Sequence, residues 1–201
     1  MKKFLGGIAS VALLLAFAYA PRANADSVTL QLSQCNVASL CNAGQAVLTT
    51  VGSGSSEEIQ VVITMNSGFG LFGNGNGNGA VGFNGTGLSG IDTTGLTAGF
   101  SVGTGGQFDG FGNFTFSLNG PVAAHAASSV TFDIMCSGGC TSVSQVTDIV
   151  VHVVNTATGA TGFAGTPGAP SPGPTPEPSS LLLLGTGLIG LGAAARRRFL
   201  A

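Results

Sequence analysis

Gly99-Phe100-Ser101-Val102-Gly103 matches the G-x-S-x-G pattern of a nucleophilic serine. Asp109, Asp133 or Asp148, and then His152, follow in Ser–acid–His order. Such a set would attack a carbonyl carbon while the imidazole takes the serine proton. The pattern requires a strand before the serine and a helix after it. Thr104-Gly105-Gly106-Gln107 follows here, and its paired glycines oppose a helix. In a chain with 34 glycines this match is a product of composition, and no catalytic residue is assigned. G-x-G-x-x-G matches starting at Gly68, Gly77, Gly85 and Gly185 are treated alike, because none opens the helix of a βαβ unit.

Cys35, Cys41, Cys136 and Cys140 could form disulfides or hold zinc. Four cysteines allow three disulfide connectivities. The local pairing, Cys35–Cys41 with Cys136–Cys140, is the favoured one, since Gly138-Gly139 eases closure of the second loop. C-x₅-C with C-x₃-C departs from the usual zinc-ribbon spacing. His125 and His152 are the two histidines, too few and too scattered for a metal centre. His152 alternates with Ile149, Val151 and Val153, so it is expected at a surface or rim. Asp92 and Asp109 could bind Ca²⁺ in loops, but no EF-hand spacing supports them. No metal or cofactor is assigned. Asn84-Gly85-Thr86 and Asn113-Phe114-Thr115 match glycosylation acceptors by composition alone.

The elements that would position these groups read as strands. Val28, Leu30 and Leu32 alternate with polar residues. Ile59, Val61, Ile63 and Met65 share one face; Phe114, Phe116 and Leu118, like Val130, Phe132 and Ile134, alternate with polar residues; and Ile149, Val151 and Val153 alternate with Val150 and His152. Period-2 runs between Gly, Asn and Ser clusters indicate half-buried antiparallel sheet. One helical turn is expected near Pro121 to Ala127. Residues 68–112 interleave glycine with Phe69, Phe72, Phe83, Phe100, Phe108 and Phe111. This spacing lets rings pack against bare backbone. The Asn-Gly repeat of residues 74–79 reads as a loop. The expected fold is all-β, a Gly-rich antiparallel β-sandwich, with a jelly roll as one such arrangement.

All six basic side chains lie at the ends of the chain: Lys2, Lys3, Arg22, Arg196, Arg197 and Arg198. At the start, Lys2-Lys3 and the apolar residues 4–20 precede Ala23-Asn24-Ala25. That is a signal peptide, with Ala23 and Ala25 presented to signal peptidase and Asp26 left first. Ala18-Tyr19-Ala20 competes poorly, because Pro21 follows it. At the far end, Pro176-Glu177-Pro178 precedes seventeen uncharged residues, 179–195, and then Arg196-Arg197-Arg198. As a helix, those seventeen would extend about 26 Å, close to a ~30 Å hydrocarbon core. The arginines should stay cytoplasmic.

This tail resembles the PEP-CTERM sorting signal of Gram-negative bacteria: Pro-Glu-Pro, apolar span and arginine cluster in that order. The resemblance implies recognition by exosortase, a membrane transpeptidase, with cleavage near Pro176-Glu177-Pro178. It also implies passage through the inner membrane and delivery to the cell surface, often alongside exopolysaccharide. The same tail is sometimes labelled the carboxy-terminal region of ice-binding proteins. The segment before it is similar to a recurring group of exported PEP-CTERM proteins. The shared motifs stand here as Gly99-Phe100-Ser101, Asp109-Gly110-Phe111-Gly112 and Thr158-Gly159-Ala160-Thr161-Gly162-Phe163. That group brings no activity with it.

The chain is thus expected to comprise a signal peptide (1–25), an exported β-sandwich (26–166), a Pro-rich linker (167–175) and a sorting signal with one transmembrane helix (176–201). Residues 26–175 carry seven acids and no Lys or Arg, a net charge of −7. Nucleic acid is excluded as a partner, since nothing would meet its phosphates. A structural or adhesive surface protein without catalysis is the leading expectation. The alternative is a carbohydrate- or ice-binding module. It has no Trp, and its single Tyr, Tyr19, lies in the signal peptide. Amino-terminal sequencing of the exported protein should read Asp26 first; a start at Met1 or Pro21 would refute the cleavage site.

Overall fold

The computed structural model describes residues 26–73 and 79–167. The expected signal peptide, residues 74–78 of the Asn-Gly repeat, the expected linker beyond Pro167 and the sorting tail with its expected transmembrane span lie outside the described residues. Among the described residues, no helix is long and apolar enough to cross a membrane.

Among the described residues fourteen strands follow in order: β1 (Ser27–Gln31), β2 (Gln34–Cys35), β3 (Gly44–Val51), β4 (Glu58–Met65), β5 (Phe69–Leu71), β6 (Val81–Gly85) and β7 (Leu88–Asp92), then β8 (Ser101–Gly103), β9 (Gly106–Phe108), β10 (Gly112–Phe114), β11 (Phe116–Asn119), β12 (Ser129–Cys136), β13 (Val146–Asn155) and β14 (Thr161–Gly165). One sheet runs β1-β3-β4-β12-β7. The other runs β2-β14-β13-β6-β11-β8, with β5 also on β13. All of these pairs are antiparallel. The expected one-turn helix is the 3₁₀ turn Ala123–His125.

The two sheets close on one core. From the first come Ala46, Leu48, Ile59, Val61, Ile63, Val130, Phe132 and Ile134. From the second come Val81, Phe83, Leu118, Ile149, Val151 and Val153. Each set is the inward half of an alternating strand, as β3, β4 and β12 show residue by residue. Phe83 stacks on Phe116 and Phe132, with ring centres 5.3 and 5.6 Å apart, and so joins the sheets.

Phe114 departs from its expected face. The sequence alternation places it with Phe116 and Leu118. In the fold the strand breaks at Thr115. Asn84 fixes that break from the neighbouring strand: its Oδ1 accepts the Thr115 N–H (2.8 Å) and its Nδ2 donates to the Asn113 carbonyl (3.1 Å). Phe116 and Leu118 join the main core, while Phe114 goes to a second cluster with Phe108, Val150, Phe163 and the half-buried Phe111.

That second cluster covers the outer face of β13. The hairpin of β9 and β10 forms its lid, with Phe108 edge-on to both Phe114 and Phe163 at 5.2 and 5.5 Å. Gly82 and Gly165 flank Val150 in register. A Cβ on Gly82 would lie 2.5 Å from the Phe108 ring, and one on Gly165 would lie 2.7 Å from Phe111. Bare backbone therefore makes room for both rings. Gly82→Ala should cost about 1–3 kcal/mol by overpacking. Thermal denaturation checks this, and an unchanged midpoint would mean that Phe108 does not rest on β6.

Candidate functional site

The sequence-derived sites fall in different places. Ala23 and Ala25 at the signal-peptidase site, Pro176, Glu177 and Pro178 of the sorting motif, and Arg196, Arg197 and Arg198 lie outside the described residues. Asp26 is described, and it is clamped. Its N–H donates to Thr50 Oγ1 and its carbonyl accepts the Thr50 N–H, both at 2.9 Å. Its carboxylate accepts the Ser142 hydroxyl (3.1 Å) and the Val143 N–H (3.3 Å). The first residue of the expected mature chain is thus pinned to both β3 and the turn before β13.

The cysteines pair locally: Cys35 with Cys41 and Cys136 with Cys140, at Cα separations of 5.1 and 5.0 Å. Gly138 and Gly139 both have positive φ, +84° and +94°, which lets the chain turn back on itself between the two cysteines. The first bridge holds the loop carrying Asn36. Asn36 Oδ1 accepts the Phe163 N–H (2.7 Å), its N–H donates to the Phe163 carbonyl (3.1 Å), and its Nδ2 donates to the Asp109 carbonyl (3.2 Å). One side chain therefore ties two of the sequence motifs together, Asp109-Gly110-Phe111-Gly112 and Thr158-Gly159-Ala160-Thr161-Gly162-Phe163. Gly162 is needed there, because a Cβ on it would meet Asn36 Oδ1 at 2.7 Å.

Ser101 is exposed on the edge strand β8, opposite Asn119, and a strand rather than a helix surrounds it. Asp109 is exposed in the β9–β10 turn. Asp133 lies on β12, opposite Asp92. No hydrogen bond joins Ser101, His152 and an aspartate among the described residues. Asp92 and Asp109 sit in opposite layers. Asp92 Oδ1 instead accepts the Thr94 N–H (2.8 Å) and hydroxyl (2.7 Å), and the backbone bond leads in lowering its pKa. Glu58, diagonal to Asp133 across the strands, is shifted upward by partial burial and then by Asp92 and Asp133. Asp133 Oδ1 is buried there without a partner.

His152 corrects the sequence reading most clearly. It does face away from Ile149, Val151 and Val153, but it is only 7 % exposed. The reason is the second cluster, which buries the outer face of β13 as well. Phe72 and Phe163 hold the imidazole between them, at ring centres 3.8 and 4.4 Å away. Nδ1 has no hydrogen-bond partner. Burial disfavours the cation and pushes its pKa down to about 4.

Below this aromatic row, a cleft of about 240 Å³ opens between the hairpin and β13. It is lined by Gln34, Asn84, Gly110, Phe111, Phe114, Asp148, Ile149 and Thr166. The sequence drew attention to Phe111 and Gly110 as a motif and to Asp148 only as one of three candidate triad acids; Gln34 stood in no motif. Those two converge only through strand pairing.

The buried imidazole sets a pH dependence. Above 6.5 folded and unfolded chains both hold it neutral, and stability is full. Between 6.5 and about 4 only the unfolded chain takes up the proton, so stability falls as pH falls. Below about 4 both forms are charged and the loss is complete. The total is up to about 3 kcal/mol. Denaturant titrations of wild type and His152→Leu should diverge in slope across this window. Parallel profiles would show that His152 is not held neutral.

A family model described as the PEP-CTERM protein-sorting motif matches residues 174–198. The match begins just before Pro176 and ends at Arg198, so it takes in Pro-Glu-Pro, the apolar span and the arginine cluster. No curated protein and no solved structure matches the chain. The protein is one that carries a PEP-CTERM sorting signal, and the kinship extends over its last residues rather than over the β-sandwich.

Proposed function

We propose that this chain is a structural or adhesive protein of the cell surface, delivered there by exosortase and without catalysis of its own. Signal peptidase removes residues 1–25 after Ala25. The sandwich of residues 26–166 folds outside the membrane, while residues 179–195 hold the chain in the inner membrane. Arg196, Arg197 and Arg198 keep the far end cytoplasmic. The Pro-rich linker, 167–175, separates the domain from the sorting motif in sequence. Pro176-Glu177-Pro178 is the motif that exosortase reads.

The match at residues 174–198 carries this reading. The span accounts for insertion and the arginines account for orientation, but neither requires Pro-Glu-Pro at the outer edge. The domain's own features support an exterior setting. Its polar surface is built from Ser, Thr, Asn and Gln, without Lys or Arg. Its two disulfides suit an oxidising compartment. An adhesive role also places exopolysaccharide within reach as a partner.

Glu177→Ala should leave membrane insertion intact and stop processing, so an uncut form should accumulate in the inner membrane. Deletion of exosortase should do the same. Immunoblots of membrane and surface fractions check both. Wild-type protein recovered from the surface with Arg196 to Arg198 still attached would make the tail a permanent anchor instead.

A further inference from the structure

Two polar groups in the cleft beside Phe111 are left over from folding. Asn84 is committed to Asn113 and Thr115, and the Thr166 hydroxyl to the backbone of Ile149. The Asp148 carboxylate and the Gln34 amide have no hydrogen bond among the described residues. Gln34 is exposed and Asp148 half-buried, so both can be reached from solvent. Phe111 and Phe114 supply the apolar wall. The wall is fixed, since Phe111 rests on Gly165 and Phe114 packs against Phe108.

Charge narrows what could enter. Residues 26–175 hold no Lys or Arg to neutralise a phosphate, sulfate or uronate, and Asp148 would repel one. At about 240 Å³, the cleft is smaller than the pockets that enclose drug-sized apolar ligands. A carboxylate acceptor, an amide that both donates and accepts, and an aromatic wall suit a small ring with hydroxyls on its edge and C–H groups on its face.

We propose that this cleft is a subsite for one non-acidic sugar residue, neutral or amino, of a surface glycan. Asp148 accepts hydrogen bonds from hydroxyl or ammonium groups, Gln34 bonds a neighbouring hydroxyl, and Phe111 and Phe114 carry the C–H face. The open side lets a polymer pass through, so an internal residue can occupy the site. The proposal specifies the ligand of the adhesive reading above and rests on it for its biological setting, though not for its chemistry.

The test uses the full-length oxidised chain, extracted in detergent and screened on neutral, amino-sugar and uronate oligosaccharides. Cellohexaose, maltohexaose, a glucosamine hexamer and a galacturonate hexamer are then titrated by calorimetry. At least one neutral or amino-sugar probe should bind, and galacturonate should not. Asp148→Ala should weaken binding about tenfold or more, and Gln34→Ala about threefold, with thermal midpoints unchanged. Thr29→Ala, on the opposite sheet, should have no effect. The proposal is overturned if no neutral or amino-sugar probe binds, if galacturonate binds best, or if binding survives the Asp148→Ala/Gln34→Ala double substitution. Sorting is read separately: a chain that binds but is never processed sinks the exosortase reading alone, and one that is processed but binds nothing sinks this one alone.

Discussion

Strand β13 is buried on both faces, and that constraint organises the rest of the molecule. Its inner residues, Ile149, Val151 and Val153, complete the core between the sheets. Its outer residues, Val150 and His152, would face water in a plain two-layer sandwich. A third layer covers them instead, made by the β9–β10 hairpin and a row of aromatic rings. Rings can lie so close only where the neighbouring strands lack side chains. Gly82 and Gly165 stand on either side of Val150 for that reason. Some of the glycine that looks like low complexity in the sequence is thus the counterpart of phenylalanine in the fold: Gly82, Gly120 and Gly165 each lie against a phenylalanine ring.

The loops are fixed by a few polar side chains, in a domain that has no Lys or Arg to form salt bridges. Asn36 joins the first disulfide loop to β14 and to the hairpin turn. Asn84 sets the break between β10 and β11. Asp26 fastens the start of the domain to Thr50 and Ser142. Each satisfies backbone groups that strand pairing leaves open, and such bonds contribute about 1 kcal/mol each, more where a carboxylate takes part. The two disulfides restrict the same loops by limiting the unfolded chain.

These clamps also shape the cleft. Phe111 comes from the hairpin, Asp148 from the start of β13, Gln34 from the short strand before the first disulfide and Thr166 from the exit of β14. Asn36 and the Cys35–Cys41 bridge hold these segments at fixed separations. With Asn84 of β6, the site is assembled from five segments of the chain, so residue spacing along any one of them does not reveal it.

The sequence by itself determined the sorting tail and the all-β fold class. A basic start, an apolar run and small residues read as a signal peptide without any fold, and the tail is likewise a linear pattern. Strands β1, β4 and β12 were legible because one face of each meets the core and leaves a period of two, and β13 because its run of β-branched residues reads as strand even though both its faces are buried. Local disulfide pairing was legible because short loops bring cysteines together wherever they sit. Strand β3 was not: Val47, Thr49 and Val51 on its outer side blur the contrast with Ala46, Leu48 and Thr50. Only the tertiary structure decided which way Phe114 points, since Asn84, some thirty residues earlier, breaks its strand. Only it decided that His152 is buried, because alternation reports which face a residue takes and not whether a further layer lies over that face.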